Sequence, residues 1–352
     1  MPIVEPAGSR VLVTGANGYI AYYIIRNLLE QGYSVRAAVR SLAKGQHLKE
    51  YYSSYGDKLE LFAIEDITKV GAFDDAVKGV DAVIHTASAA DFTMVDPEDY
   101  IKPAVEGSIG LLESAKKFGD KVKRIVITST VTATGFNMAP PAVTFDETIW
   151  NDQAVELVNA EGKGASPLIK YTASKVLAER AAWDFYHKYK GVLQWELVTI
   201  LPAHCLGPPL QVVKGPESLN ISLWLFWDGI ASKKSDEELK GPYNYIHVQD
   251  IALAHIAAIR KEKAGGERII ISAGASTWQH ARNLVYSLKP ELYSKGILPR
   301  GNPDLDSTPL FIYNGEKGKN ILGLKYANEE KLIRDTLADF EARGYFAKPV
   351  NV

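Results

Sequence analysis

The run Arg10-Val-Leu-Val-Thr-Gly15-Ala-Asn-Gly18-Tyr-Ile-Ala21 constrains this chain more than any other segment. A short β-favouring stretch enters a turn with small residues at spaced positions, and an apolar-periodic stretch follows, which reads as strand, tight turn and helix. Gly15 permits the turn, Gly18 lets the backbone come close to a ligand, and Ala21 takes the third small position where the helix packs on the strand. The unpaired N–H groups and dipole of a helix start placed this way favour an anion such as a pyrophosphate. An ordinary strand–helix turn would not need those three small residues.

The same rhythm continues downstream. β-branched runs occur at Val11 to Thr14, Val35 to Val39, Leu59 to Ile64, Ala82 to His85, Ile125 to Ser129 and Leu197 to Leu201. Between them lie helical patterns at Ile20 to Glu30, Phe73 to Val77, Pro103 to Phe118 and Thr172 to Tyr189, with apolar residues three and four apart. Alternation of this kind predicts an α/β fold, a Rossmann-type doubly wound parallel sheet with helices on both faces. After Pro202 the breakers Pro208, Pro209, Gly215 and Pro216 precede a Trp- and Leu-rich stretch and a Lys/Glu-rich loop, the pattern of a smaller lobe covering a substrate. The sheet pattern returns at Tyr243 to Val248, with Asp250 placed to cap a helix Ile251 to Arg260, and again at Arg268 to Ser272. The expected division is therefore 1–202 plus 243–272 for the nucleotide-binding domain, and 203–242 plus 273–352 for a discontinuous substrate lobe.

Composition narrows the partners. With 40 basic against 42 acidic residues and a net charge of -2, no broad positive field exists to hold a nucleic acid. Cys205 is the single cysteine, which excludes an internal disulfide and a thiolate metal site and suits a reducing compartment. Met1 to Arg10 lacks a basic segment followed by an apolar core, and the most apolar run, Ile221 to Trp227, is far short of the roughly 20 residues that span a bilayer. A cytoplasmic protein with neither metal nor membrane partner is the expectation.

The end of the second strand decides which nucleotide the turn prefers. NAD-binding folds usually place a carboxylate there for the ribose hydroxyls, whereas this chain reads Val35-Arg36-Ala-Ala-Val39-Arg40-Ser41. Arg40 can pair with a 2′-phosphate, and Lys44 follows one helical turn later, so NADPH is favoured over NADH. Solvated charges at a helix start would look the same. Asp66, followed by Ile67 at the end of the third strand, is placed to contact the adenine.

Tyr171-Thr-Ala-Ser-Lys175 puts a phenol and an ammonium four residues apart, on one face of a helix. A phenol of pKa about 10 is a weak acid at neutral pH, and a neighbouring cation would lower it. The spacing alone is not specific, since Tyr186-His-Lys-Tyr-Lys190 repeats it. Tyr171 opens its helix after the Gly162, Gly164 and Pro167 loop, but Tyr186 lies about 22 Å further along at 1.5 Å per residue, away from the nucleotide crevice. A second hydroxyl to hold a substrate carbonyl should come from the end of the fifth strand, where Thr128-Ser129-Thr130 lies. Strand alternation puts Thr128 and Thr130 on one side and Ser129 on the other, with Thr130 the first choice and Ser129 the alternative. A strand-end hydroxyl run that merely satisfies backbone groups is equally compatible with the sequence.

Together these residues resemble the extended short-chain dehydrogenases, in particular the dihydroflavonol-reductase-like group that includes yeast methylglyoxal reductases and basidiomycete carbonyl and aldehyde reductases. The resemblance covers nearly the whole chain. Its marks are Val13-Thr-Gly-Ala-Asn-Gly-Tyr-Ile-Ala21, Val39-Arg-Ser41, His85-Thr-Ala-Ser88, Pro103-Ala-Val-Glu-Gly107, Arg124-Ile-Val-Ile-Thr-Ser129, Tyr171-Thr-Ala-Ser-Lys175, Pro202 with Gly207-Pro208, and Tyr245-Ile-His-Val-Gln-Asp250. It implies that Arg40 and Lys44 bind the 2′-phosphate and that the Pro202 to Pro208 loop lies against nicotinamide, with Cys205 near the cofactor but without a redox role. The family's catalytic serine aligns with Thr130, which keeps the hydroxyl and adds a methyl. The Asn-Trp-Tyr-Cys-Tyr pattern of cinnamoyl-CoA reductases is missing before Lys175, and Gly135 stands where flavonoid reductases carry asparagine, which argues against those plant substrates.

The expected cofactor contacts are thus Gly15, Asn17, Gly18, Tyr19, Ile20, Arg40, Lys44, Asp66, Ile67, Thr86, Ala87, Tyr171, Lys175, Pro202, Cys205 and Ser222, around NADPH or NADP+. The catalytic set is Thr130, Tyr171 and Lys175, and the substrate pocket Phe92, Thr132, Ala203, His204 and Trp224, apolar enough to prefer aryl or alkyl carbonyls over sugars. For Trp224 plain core packing is an equal reading. The activity expected is reduction of a small ketone or aldehyde to an alcohol by a monomer or homodimer. The rivals are an NAD-dependent sugar-nucleotide epimerase or dehydratase, and a catalytically silent NADP-binding regulator.

Overall fold

The computed structural model describes residues 3–88, 92–137, 139–306 and 308–347. Its strands run in chain order as β1 (Arg10–Thr14), β2 (Ser34–Val39), β3 (Leu59–Ala63), β4 (Ala82–His85), β5 (Arg124–Thr128) and β6 (Val143–Phe145). They continue as β7 (Glu196–Pro202), β8 (His204–Leu206), β9 (Pro242–His247), β10 (Arg268–Ile271), β11 (Gly274–Thr277) and β12 (Phe311–Tyr313). Seven of them form one parallel sheet in the order β10-β7-β5-β4-β1-β2-β3. From β1 the chain winds outward to β2 and β3, then crosses back to β4 and winds the other way. The carboxyl ends of β1 and β4 therefore part at a switch point, where a crevice opens.

Both faces of this sheet are covered, so its strands read as continuous apolar runs rather than alternating ones; β4 is buried throughout. Helices Tyr19–Glu30 and Val248–Arg260 pack together on one face, and Pro97–Phe118 packs with Pro167–Tyr189 on the other. Outside this sheet lie a three-stranded sheet, β11-β9-β8, and the pair β12-β6.

Several elements differ from expectation for identifiable reasons. Phe73 to Val77 forms turns instead of a helix, because positive-φ glycines Gly71 and Gly79 bracket a stretch too short to nucleate one; Phe73 and Val77 are nonetheless buried. The third helix begins at Pro97, where Asp96 accepts from the Glu98 N–H and caps it, so that Pro103 lies inside the helix and not at its start. β9 joins β8 and β11 instead of returning to the main sheet. The helix after β9 starts at Val248 with His247 as its cap, and Asp250 instead accepts from the Ala327 N–H at 2.8 Å.

A buried ion pair links the sheet edge to the helix face that borders the crevice. Glu179 of helix Pro167–Tyr189 receives Arg268 Nε from β10 at 2.8 Å and Thr199 Oγ1 from β7 at 2.7 Å. The Arg268 guanidinium also donates to the Glu147 and Ile149 carbonyls and lies 3.7 Å over Trp150. Arg268→Ala is expected to cost about 3–5 kcal/mol, because Glu179 keeps its charge without its partner. Urea denaturation checks this, and adding Glu179→Gln to that variant should recover part of the loss.

Candidate functional site

The crevice at the switch point is a single cleft of about 1410 Å³ that runs from the glycine turn to the small lobe. That exceeds the roughly 300–1,000 Å³ of a pocket for one drug-sized ligand, so a dinucleotide and a small substrate fit end to end.

Gly15 sits at φ +64°, and a Cβ there would lie 2.9 Å from the Ala87 Cα and N and 3.1 Å from Thr86 Oγ1. No side chain fits between the two strand ends. Gly18 caps helix Tyr19–Glu30 without a side chain, and the first turn carries no acidic residue, so the helix start faces the cleft with its donors available. Ser88 Oγ, just beyond β4, is buried, lines the cleft and has no partner among the described residues. A small-residue cradle and an orphaned hydroxyl together suit a bound dinucleotide.

Arg40 is exposed on the cleft wall at the end of β2, whereas Lys44 projects from helix Leu42–Tyr51 and does not line the cleft. Asp66 and Ile67 lie on the wall near Arg40. The Asp66 carboxylate accepts from the Thr68 N–H and hydroxyl, which hold it below the usual carboxylate range. Thr86, Ala87, Asn17, Ile20 and Ser222 also line the cleft. The Tyr19 phenol is spent on the Gly207 carbonyl at 2.6 Å, tying the glycine-turn helix to the loop after β8. Cys205 is buried beside it, and burial pushes its thiol far up, out of nucleophilic range.

Tyr171 and Lys175 both face the cleft from the first turns of helix Pro167–Tyr189, which Ser166 caps. Tyr186 instead packs on Trp183 and Trp195 beneath the sheet, outside the cleft. Burial pushes the Tyr171 phenol up to about 12, and only the nearby Thr130 hydroxyl pulls the other way. The expected depression of this phenol by Lys175 is therefore not what the structure shows. The ammonium is turned onto the Thr128 carbonyl at 2.7 Å, and burial lowers Lys175 to about 8 while the Glu179 carboxylate opposes that drop.

The three hydroxyls at the end of β5 go to three different neighbours. Thr128 Oγ1 meets His255 Nε2 at 2.8 Å, and because His255 Nδ1 donates to the Ile251 carbonyl, Thr128 must be the donor. Ser129 donates to Glu179 at 2.6 Å on the opposite face. Thr130 leaves the sheet, caps the short turn Val131–Ala133 and reaches Tyr171, so it does not share Thr128's side as strict alternation requires. Local histidines are held neutral by burial: His85 is lowered to about 3, His255 to about 4 and His204 to about 4. No histidinium competes with Tyr171 as a proton donor.

At the small-lobe end, Phe92 stands 5.4 Å from the Tyr171 ring, and Thr132, Ala203 and His204 also line the wall. Trp224 does not: it points outward, 41% exposed, while its neighbour Leu225 lines the cleft and Leu223, Phe226 and Trp227 of the same helix fill the core. The sequence did not single out Tyr243, Trp278, Phe311, Tyr313 or Asn220, all on the wall. Tyr243 and Trp278 stack at 4.6 Å and 13°, with His204 edge-on to both. Only the antiparallel pairing of β9 with β11, which sets Thr277 opposite Pro242, brings them together.

Residues 11–274 match the model of the NAD dependent epimerase/dehydratase family. The chain is 34% identical over 345 residues to the putative NADPH-dependent methylglyoxal reductase GRP2 of Candida albicans, covering 94% of this chain and 98% of that one. It is 32% identical over 335 residues to the ketoreductase azaE of Aspergillus niger, covering 93% and 96%. The crystal structure of yeast methylglyoxal/isovaleraldehyde reductase Gre2 complexed with NADPH superposes with a TM-score of 0.84 at 32% identity, covering 95% of this chain and 99% of that one.

Gly15→Ala tests the cradle: NADPH affinity, read by quenching of protein fluorescence, should fall by about 100-fold or more, since neither β1 nor the Ala87 backbone can give way to a methyl group.

Proposed function

Because this chain belongs to the NAD dependent epimerase/dehydratase family, within the extended short-chain dehydrogenases, we propose that it is an NADPH-dependent carbonyl reductase that turns ketones or aldehydes into alcohols. One observation carries the reading: the Tyr171 phenol and the Thr130 hydroxyl meet on the wall of a cleft that also holds the glycine cradle, with Lys175 one helical turn away.

Bound NADPH supplies the hydride to the carbonyl carbon. Tyr171, protonated throughout the neutral range, would give its proton to the carbonyl oxygen, and the Thr130 O–H would donate to that oxygen as its charge develops, then turn to the phenolate once the oxygen holds the Tyr171 proton. Lys175, charged below about pH 8, would hold the nicotinamide ribose and add positive charge near the developing phenolate. Arg40 would take the 2′-phosphate, which distinguishes NADPH from NADH. The adenosine end would rest against Asp66 and Ile67, and Pro202 with Ala203 would border the nicotinamide.

The substrate wall favours aryl and alkyl carbonyls over sugars. Four of its polar side chains are already paired: Tyr243 donates to Glu329, Tyr313 to the Gly135 carbonyl at 2.6 Å, His204 to the Ser222 carbonyl at 2.9 Å, and Asn244 bridges Phe311 and Tyr313, which leaves the buried Asn220 Nδ2 as a donor on the wall unpaired among the described residues. A sugar carries several hydroxyls, and those buried against the four paired groups would lose their water without gaining a partner.

Three measurements test the reading. Tyr171→Phe should lower kcat for any ketone at least 1,000-fold, with NADPH binding by fluorescence retained, as expected for loss of both proton donor and oxyanion partner. A variant that still oxidises NADPH at the wild-type rate would refute the assignment. kcat/KM for NADPH should be level below about pH 8 and fall with loss of one proton above it, because the Lys175 charge disappears there; Lys175→Arg should move the fall to higher pH. Arg40→Ala should reduce the preference for NADPH over NADH by about tenfold or more, read as the ratio of kcat/KM values.

A further inference from the structure

Two elements must stay aligned for the proposed chemistry, and both are joined at one buried point. The end of β5 carries the Thr128 carbonyl, which receives Lys175, and the Thr130 hydroxyl, which serves Tyr171. Ser129 lies between them and turns the other way, donating at 2.6 Å to Glu179, four residues beyond Lys175 on the helix that also carries Tyr171. Glu179 is itself fixed from the far side by Arg268 of β10 and Thr199 of β7. Its four hydrogen bonds leave it no alternative position.

We propose that Glu179 is a positioning residue of the reductase site: through Ser129 it sets the strand end bearing Thr130 and the Thr128 carbonyl against the helix bearing Tyr171 and Lys175. The inference rests on the carbonyl-reductase reading and gives Ser129 a role distinct from that of the substrate-binding hydroxyl. A small space whose lining includes His85, Ser108, Ser129, Lys175 and Glu179 borders the same groups. Its volume, about 10 Å³, is that of roughly one water.

The charge of Glu179 also acts on Lys175, whose ionisation it supports against burial. The other titratable groups around the pair are accounted for. His85 faces Lys175 from β4 and is neutral; His255 reaches it only through Thr128 and is neutral; Arg268 faces Glu179 from β10; Glu147 accepts from the Ile270 N–H behind Arg268. Removing the carboxylate leaves Arg268 as the nearest unbalanced charge, which makes the Lys175 ammonium less favourable.

Two variants of the full chain separate alignment from charge. Ser129→Ala cuts the link and keeps both charges: kcat for a ketone should fall about tenfold or more, with NADPH Kd within about twofold and the high-pH fall of kcat/KM unmoved. Glu179→Gln should lower kcat at least as much and move that fall to lower pH by about half a unit or more. Activities are expressed per folded enzyme, from the NADPH-binding stoichiometry, so a purely structural role would leave both kcat and the pH profile at wild-type values, and that result overturns the proposal. If Glu179→Gln does not fold, Ser129→Ala decides alone: an unchanged kcat refutes the inference. Wild-type enzyme that oxidises no NADPH with any ketone or aldehyde would instead refute the carbonyl-reductase reading, and the inference with it.

Discussion

The approach of the β1 and β4 backbones at Gly15 and Ala87, too close for a single methyl group, sets the geometry on which the rest of the cleft depends. With no side chain to hold them apart, the two strand ends carry their turns side by side, and the helix that starts at Tyr19 aims its unpaired donors along the crevice between them. Several residues assigned a role then come from the carboxyl ends of neighbouring strands, Arg40 from β2, Ser88 from β4, Thr130 from β5 and Pro202 from β7, and Tyr171 and Lys175 face them from helix Pro167–Tyr189. Parallel topology does this without special design, because all the carboxyl ends lie on one edge.

Burial supplies the second ingredient, selecting which groups can exchange protons. The same desolvation that raises Tyr171 to about 12 and lowers Lys175 to about 8 keeps His85, His204 and His255 uncharged. A phenol with a pKa near 12 never loses its proton to solvent at neutral pH, which suits the direction of reduction, where it must arrive protonated. The costs of holding Lys175 in the same dry region are met locally by the Thr128 carbonyl and the nearby Glu179 carboxylate.

How much of this was legible in the chain follows from the range of the interactions involved. Gly15, Gly18, Tyr171 and Lys175 lie in short motifs whose geometry is set within one turn of helix or one strand–helix junction, so spacing together with position in the chain singled them out. Thr130 was legible as one of three hydroxyls and the first choice among them, and what engages Ser129 elsewhere is Glu179, on the helix that carries Tyr171 and Lys175. Lys44 and Trp224 do not line the cleft, because helical position alone does not fix which way an exposed side chain turns. The missed start at Asp96 and Pro97 was a local signal available in the sequence and outweighed by Pro103.

The substrate wall was the least legible part, and the reason is topological. Tyr243 belongs to β9 and Trp278 follows β11, so their stacking depends on an antiparallel pairing that apolar periodicity does not encode. Space for Trp278 depends in turn on Gly229, where a Cβ would lie 2.5 Å from its ring. Sequence spacing connects none of these three positions. In the carbonyl-reductase reading this wall would discriminate mainly by what it withholds: Tyr243, Tyr313, Asn244 and His204 are spent on Glu329, Gly135, Phe311 and Ser222, so a polar substituent would gain no bond from them, whereas a flat apolar group would lose nothing by entering. Chemistry is thus fixed by motifs read locally, and selectivity by contacts between segments far apart in the chain, which is why the reaction could be inferred before the substrate.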